Sequence, residues 1–174
     1  WDGSKSDWNF CVIDITEYAG QTIRVRFNYG TQGSSTAGGW NMDYARVRVG
    51  PDWPQIIWYG WPDQEYADWF GWSTPPGGAD PGWTPNGNLA AGNDMSWSWP
   101  YDTEYENNVH NALVSPPIDF NSGEDYYYIQ FLNHLNAESG YDYCYLEMAP
   151  HGVTIADTAW VELEGWTGLS PNWW

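Results

Sequence analysis

The chain of 174 residues carries 23 Asp plus Glu against 5 Lys plus Arg, a formal net charge of −18, and 19% of it is aromatic. So acidic a surface excludes nucleic acid and anionic membranes as partners, because both demand basic patches, while a hydrophobic share of 42% excludes a disordered chain. No apolar run approaches the roughly 20 residues of a membrane span, and no basic-then-apolar leader opens the sequence, so an extracellular form is expected as a processed product.

The charge is uneven along the chain. All five basic residues, Lys5, Arg24, Arg26, Arg46 and Arg48, lie within residues 1–50 and balance the acids there, so residues 51–174 carry the whole −18. Within "FCVIDIT", Cys11, Ile13 and Ile15 alternate with Val12 and Asp14, the period of two of a β-strand. After a turn at "YAGQ", "TIRVRFNYG" alternates again, with Ile23, Val25 and Phe27 on one face and Arg24 and Arg26 on the other. A Gly/Ser/Thr loop leads to "WNMDYARVRVG", where Ala45, Val47 and Val49 oppose Arg46 and Arg48. Both arginine pairs are expected on solvated sheet faces.

From Pro51 the texture changes. Residues 51–72 mix Pro with Trp and Tyr and read as a connector that packs against something. Residues 73–108 are rich in Gly, Pro, Asn and Trp and read as a long pinned loop. A second strand group follows in "HNALVSPPIDF", "DYYYIQFLNHL", "YDYCYLEMAP" and "AWVELEGW", with Cys144, Leu146, Met148 and Asp142 on one face of the third. No helix pattern is evident. Short strands with Gly/Pro-rich turns predict an all-β sandwich.

These segments resemble the jelly-roll domains beside the catalytic domains of immune inhibitor A-type secreted metalloproteases, and the related MAM-like and choice-of-anchor J cell-surface domains. The matching pieces are "ALVSPPIDF" (112–120), "YYYIQFLNHL" (126–135), "YDYCYLEMAP" (141–150), the Trp160 to Gly168 element, and the strands of residues 8–27 and 39–49. Their order is permuted: the last third of the family domain comes first. The resemblance implies a jelly-roll β-sandwich that is circularly permuted or completed by strands from a neighbouring copy. It divides the chain into a C-terminal strand group (1–50), a connector (51–72) and the N-terminal part of a jelly roll (73–174). The tryptophans at 1, 173 and 174 fall where the family has an internal connection.

The split has a physical cost. Ile13, Ile15, Ile23, Val25, Phe27, Val47 and Val49 would each forfeit roughly 1.5–3 kcal/mol if left wet, so neither piece persists without a complement. The complement is expected from the chain's own back end, from a neighbouring copy head to tail, or from the next unit of a tandem-repeat chain. Trp1, Trp8, Ile13, Ile15, Trp173 and Trp174 are the expected assembly residues.

The residues offer little chemistry. His110, His134 and His151 show no HExxH or related spacing, with His134 expected as a hydrogen-bonded strand residue. Ser115 and Ser139 lack a nucleophile-elbow context, so no enzyme is expected. Calcium is the candidate metal, since oxygen ligands suit it and some family members bind it; the matching positions are Asp43 and Asp142, with Tyr44 where a second Asp often stands. Trp83, Trp97, Trp99 and Tyr101 are candidates for stacking on glycan or for filling an interface. Cys11 and Cys144 lie on inward-facing positions, as buried free thiols or as a disulfide stapling front to back. The expected function is a structural subunit of an extracellular filament or surface layer, with copies of itself as partners. The alternative is a monomeric carbohydrate- or protein-binding module.

Overall fold

A computed structural model describes residues 8–32, 38–51, 55–59, 84–86, 96–99, 107–121, 123–153 and 158–167. Their strands form two antiparallel sheets packed face to face, a β-sandwich. The first sheet runs β1 (Asn9–Asp14), β9 (Tyr127–Asn136), β3 (Gly39–Val49), β6 (Ser96–Trp99), β5 (Thr84–Asn86), with β4 (Gln55–Tyr59) also on β3. The second runs β11 (Val161–Thr167), β10 (Tyr143–Pro150), β2 (Thr22–Gly30), β7 (His110–Val114), with β8 (Ile118–Asp119) also on β2.

The period-two segments become strands because each finds a second sheet for its apolar face. Cys11, Ile23, Val25, Phe27, Val47, Ile129, Phe131, Cys144, Leu146 and Met148 all join one buried core. Its centre is aromatic. The Phe27 ring meets Phe131 edge-on at 5.1 Å and Trp40 at 5.6 Å, and Trp166 stands 5.8 Å from Trp40 and 6.0 Å from Phe131. Such offset and edge-on pairs contribute about 0.5–1.5 kcal/mol each beyond the area they bury. Two of the four rings come from the first fifty residues and two from beyond residue 110.

The same division holds for the ladders. β1 pairs with β9, β2 with β10, β7 and β8, and β3 with β9, β4 and β6, so the first three strands make no ladder with one another. Both sheets thus mix front and back strands of one chain.

Local chemistry explains the joints. Between β1 and β2, a 3-10 turn at Thr16–Tyr18 is opened by the Thr16 amide donating to Asp14 Oδ1 at 2.9 Å, and Gly20 at φ +77° lets the chain cross to the other sheet. In "VSPPID", two prolines cannot donate to a ladder, so β7 ends and β8 restarts on the same partner strand. Ser115 bridges the gap: its amide donates to the Val25 carbonyl at 2.8 Å, and its Oγ accepts from the Val25 amide at 2.9 Å. In β3, a bulge between Asp43 and Arg46 places Tyr44 at φ +53°, with Asp43 Oδ1 accepting from the Tyr44 amide at 2.7 Å.

One expectation from the sequence is corrected and two are made specific. Residues 55–59 of the supposed connector form strand β4, and the supposed long loop contributes β5 and β6. The arginine faces are not simply solvated: Arg26 is buried, and Nε of Arg24 and of Arg48 is shielded from solvent. Of the two states expected for Cys11 and Cys144, the structure has buried free thiols rather than a disulfide.

Candidate functional site

The outward face of the second sheet can be read as rows across its strands. One row is Thr167, Tyr143, Gly30, His110; the next is Gly165, Tyr145, Asn28, Ala112; the third is Glu162, Glu147, Arg26, Val114. The third row is closed. Arg26 donates from Nε to Glu147 Oε2 at 2.6 Å and from Nη2 to Oε1 at 3.0 Å, and its guanidinium lies 4.4 Å from the centre of the Trp160 ring. Trp160 packs in turn on Ala112, Val114 and Ala149.

The first two rows are open. Gly30 presents no side chain between Tyr143 and His110, and a groove of about 590 Å³ forms there, lined also by Thr31, Gln32, Asn108, Val109 and Tyr145. The Tyr143 and Tyr145 rings are parallel, 2° apart in plane with centroids 6.1 Å apart. Tyr145 leans over Gly165, where an added Cβ would lie 3.1 Å from the ring's Cδ1 and Cε1. The glycine is what leaves room for the ring.

The rim is held by named bonds. The Thr31 amide donates to the Val109 carbonyl at 2.9 Å, and the Val109 amide donates to Thr31 Oγ1 at 3.0 Å. Asp142 fixes the far corner: Oδ1 accepts from the Gln32 amide and Oδ2 from the Glu138 amide, each at 2.9 Å. Asn108 sits at φ +59°, a left-handed conformation that asparagine tolerates better than most residues. His110 Nε2 is hydrogen-bonded to Asn28 Oδ1. Desolvation, and then the Arg26 charge, push the His110 pKa below its ordinary value, against a smaller opposing pull from Glu147. The neutral imidazole therefore donates through Nε2 and keeps Nδ1 as an acceptor.

None of the eight described residues that line the groove is an acid, Lys or Arg. In a chain with 23 carboxylates, that leaves amides, a neutral imidazole, hydroxyls and two ring faces. This set can stack and hydrogen-bond an uncharged polar molecule.

The residues singled out in the sequence are scattered. Asp43 lies in β3 of the first sheet, buried at its bulge, while Asp142 precedes β10 at the second sheet, with both oxygens on backbone amides. Among the described residues no three His, Cys, Asp or Glu side chains gather as a metal site. Trp97 and Trp99 lie in β6, opposite Met42 and Trp40 in register. Trp83, Tyr101, Trp1, Trp173 and Trp174 lie outside the described residues. Trp8 stands 5.8 Å from the His134 ring, Ile13 pairs with Ile129, and Ile15 is fully buried, all within one chain. His134 is, as expected, a strand residue, its Nδ1 3.4 Å from Asn41 Nδ2. The groove itself was missed. Its signal was the complement of the inward set in "YDYCYLEMAP": if Cys144 and Leu146 face in, Tyr143 and Tyr145 face out.

Comparisons with protein-family models, with curated proteins and with solved structures return no match.

Proposed function

We propose that this chain is a structural module of an extracellular filament or surface layer, and that copies join head to tail by exchanging their front strands. The observation that carries this reading is the ladder pattern: among the described residues, β1, β2 and β3 pair only with strands from residue 55 onward. A front segment that has no sheet of its own makes the same contacts whether the back strands belong to its own chain or to another. Exchange therefore keeps every ladder and the four-ring cluster, and its balance is set by the connector and by concentration. Charge favours the match, because an arginine-bearing front meets a back segment that holds the whole net charge. The Arg26–Glu147 ion pair is one such front-to-back contact. The resemblance to cell-surface jelly rolls supports the extracellular placement.

Light scattering of the native protein with mass measurement in denaturant tests the proposal. Concentration-dependent oligomers that fall to a single mass of 19.9 kDa in denaturant are expected. Two differently tagged populations, mixed after partial unfolding and returned to native buffer, should co-purify. Monomers at every concentration, with no fibres by electron microscopy, would leave the binding-module alternative in its place, and the open groove is the feature that favours that alternative.

A further inference from the structure

We infer that the groove beside Tyr143 and Tyr145 is a binding site for a neutral glycan segment. This inference stands apart from the assembly proposal, since the groove lies on the outward face of the second sheet.

Three observations converge. The first is electrostatic. With a net charge of −18, a cation-binding groove would be built from the carboxylates the chain has in excess, yet among the described residues the lining holds no acid, Lys or Arg. An uncharged ligand suits such a lining. The second is shape. Tyr143 and Tyr145, a parallel stacked pair, line one part of the groove with apolar ring surface of the kind that the C–H face of a pyranose covers, and the volume falls within the range typical of small-ligand sites, about 300–1,000 Å³. The third is the polar complement. Gln32 and Asn108 bring amides that both donate and accept, and His110 brings an acceptor nitrogen. Sugar hydroxyls, each a donor and an acceptor, match that mixture better than an aliphatic ligand does.

The site is also prearranged. Asp142 ties the Gln32 amide to the Glu138 amide across the corner, and Thr31 and Val109 are bonded directly to each other. Asn108 is held in a conformation that few side chains adopt. Gly165 makes room for Tyr145 on the neighbouring strand. A rim fixed before the ligand arrives loses little conformational freedom on binding.

Affinity electrophoresis of the whole chain tests this, in native gels cast with hydroxyethyl cellulose, mixed-linkage β-glucan, glucomannan, xylan or dextran, and separately with polygalacturonate. Retardation by at least one neutral polymer is expected, and none by polygalacturonate. Tyr145→Ala should weaken that retardation at least tenfold. Asn108→Gly, which keeps the left-handed backbone while removing the amide, should weaken it about threefold with an unchanged melting temperature. If Tyr145→Ala does not fold, Asn108→Gly and Gln32→Ala decide the matter. Mobility unaffected by every neutral polymer, retardation by polygalacturonate alone, or undiminished retardation of the folded variants would each overturn the assignment. Light scattering of the same variants separates this outcome from assembly, because the oligomeric state should not change.

Discussion

Arg26 and Glu147 face each other across the central strand pair of the second sheet as a two-bonded ion pair, with side chains only 11% and 12% exposed. A pair this dry is worth little against an apolar substitute of equal volume, but removing one partner strands the other charge. Glu147→Ala is expected to cost about 3 kcal/mol, because it takes both carboxylate bonds from a guanidinium that lies against the Trp160 ring. The double variant Arg26→Met with Glu147→Leu should recover most of that loss. Urea unfolding of the three proteins reads both numbers.

Ser115 substitutes for a missing ladder partner where two prolines interrupt the strand. Its hydroxyl is buried against the Val25 amide, so Ser115→Ala leaves a donor with no acceptor and should cost about 1–3 kcal/mol. Ser115→Thr keeps the oxygen and should lose less. Denaturant midpoints at constant m distinguish the two.

His110 predicts a pH dependence with a definite sign. Its pKa is lowered in the fold by desolvation and by Arg26, so the unfolded chain takes up the proton first. The stability that the neutral ring contributes is complete above the unfolded value of about 6.5 and is lost as pH falls through the folded value. Relief of the chain's net negative charge acts in the opposite direction on acidification, so the measured quantity is a difference. Wild type minus His110→Asn, followed by thermal unfolding, should decline below about pH 6.5. A flat difference from pH 8 to pH 5 would contradict this account.

Burial and the nearby Asp142 carboxylate push the Cys144 thiol well above its ordinary value. Cys11 is buried as well, so the native protein should show no reactive thiol at neutral pH and two after unfolding, one each from Cys11 and Cys144. Titration with an aromatic disulfide reagent, in buffer and in urea, counts them. Above pH 9 the unfolded thiol ionises while the folded one resists, so stability should fall on the alkaline side.

Gly165→Ala should act on the groove more than on the fold. The new Cβ would meet Tyr145 ring carbons at 3.1 Å and Glu162 Oε1 at 3.0 Å, so the ring must shift, while a strand backbone accepts alanine more readily than glycine. The expected result is a melting temperature within a few degrees of wild type and at least threefold weaker retardation in the neutral-polymer gels.

What the sequence made legible was the pattern of period two. Ile23, Val25 and Phe27, and likewise Cys144, Leu146 and Met148, are inward as their alternation requires and are buried, while Ile13, expected beside Cys11 and Ile15, is only partly buried. Alternation says which face is turned in, but not what covers the other face. That is why Arg26 looked solvated: Trp160 and Glu147 reach it from 134 and 121 positions away. Strands β4 to β6 were hidden for another reason. "QIIWY", "TPN" and "SWSW" are too short to show a period, and their pairing depends on the long strand β3 beside them. The groove eluded sequence reading because it arises from a missing side chain, Gly30, flanked by residues from three strands.

The ladder between Asn9 and Asn133 carries a kinetic consequence. A polypeptide leaving the ribosome at about 5–20 residues per second keeps its opening strand waiting on the order of ten seconds for that neighbour to emerge. Throughout that interval Cys11, Ile15 and Phe27 are in water with nothing to lie against. Refolding in vitro meets the same delay as a search over large sequence separations, which places this protein among slow folders rather than microsecond ones.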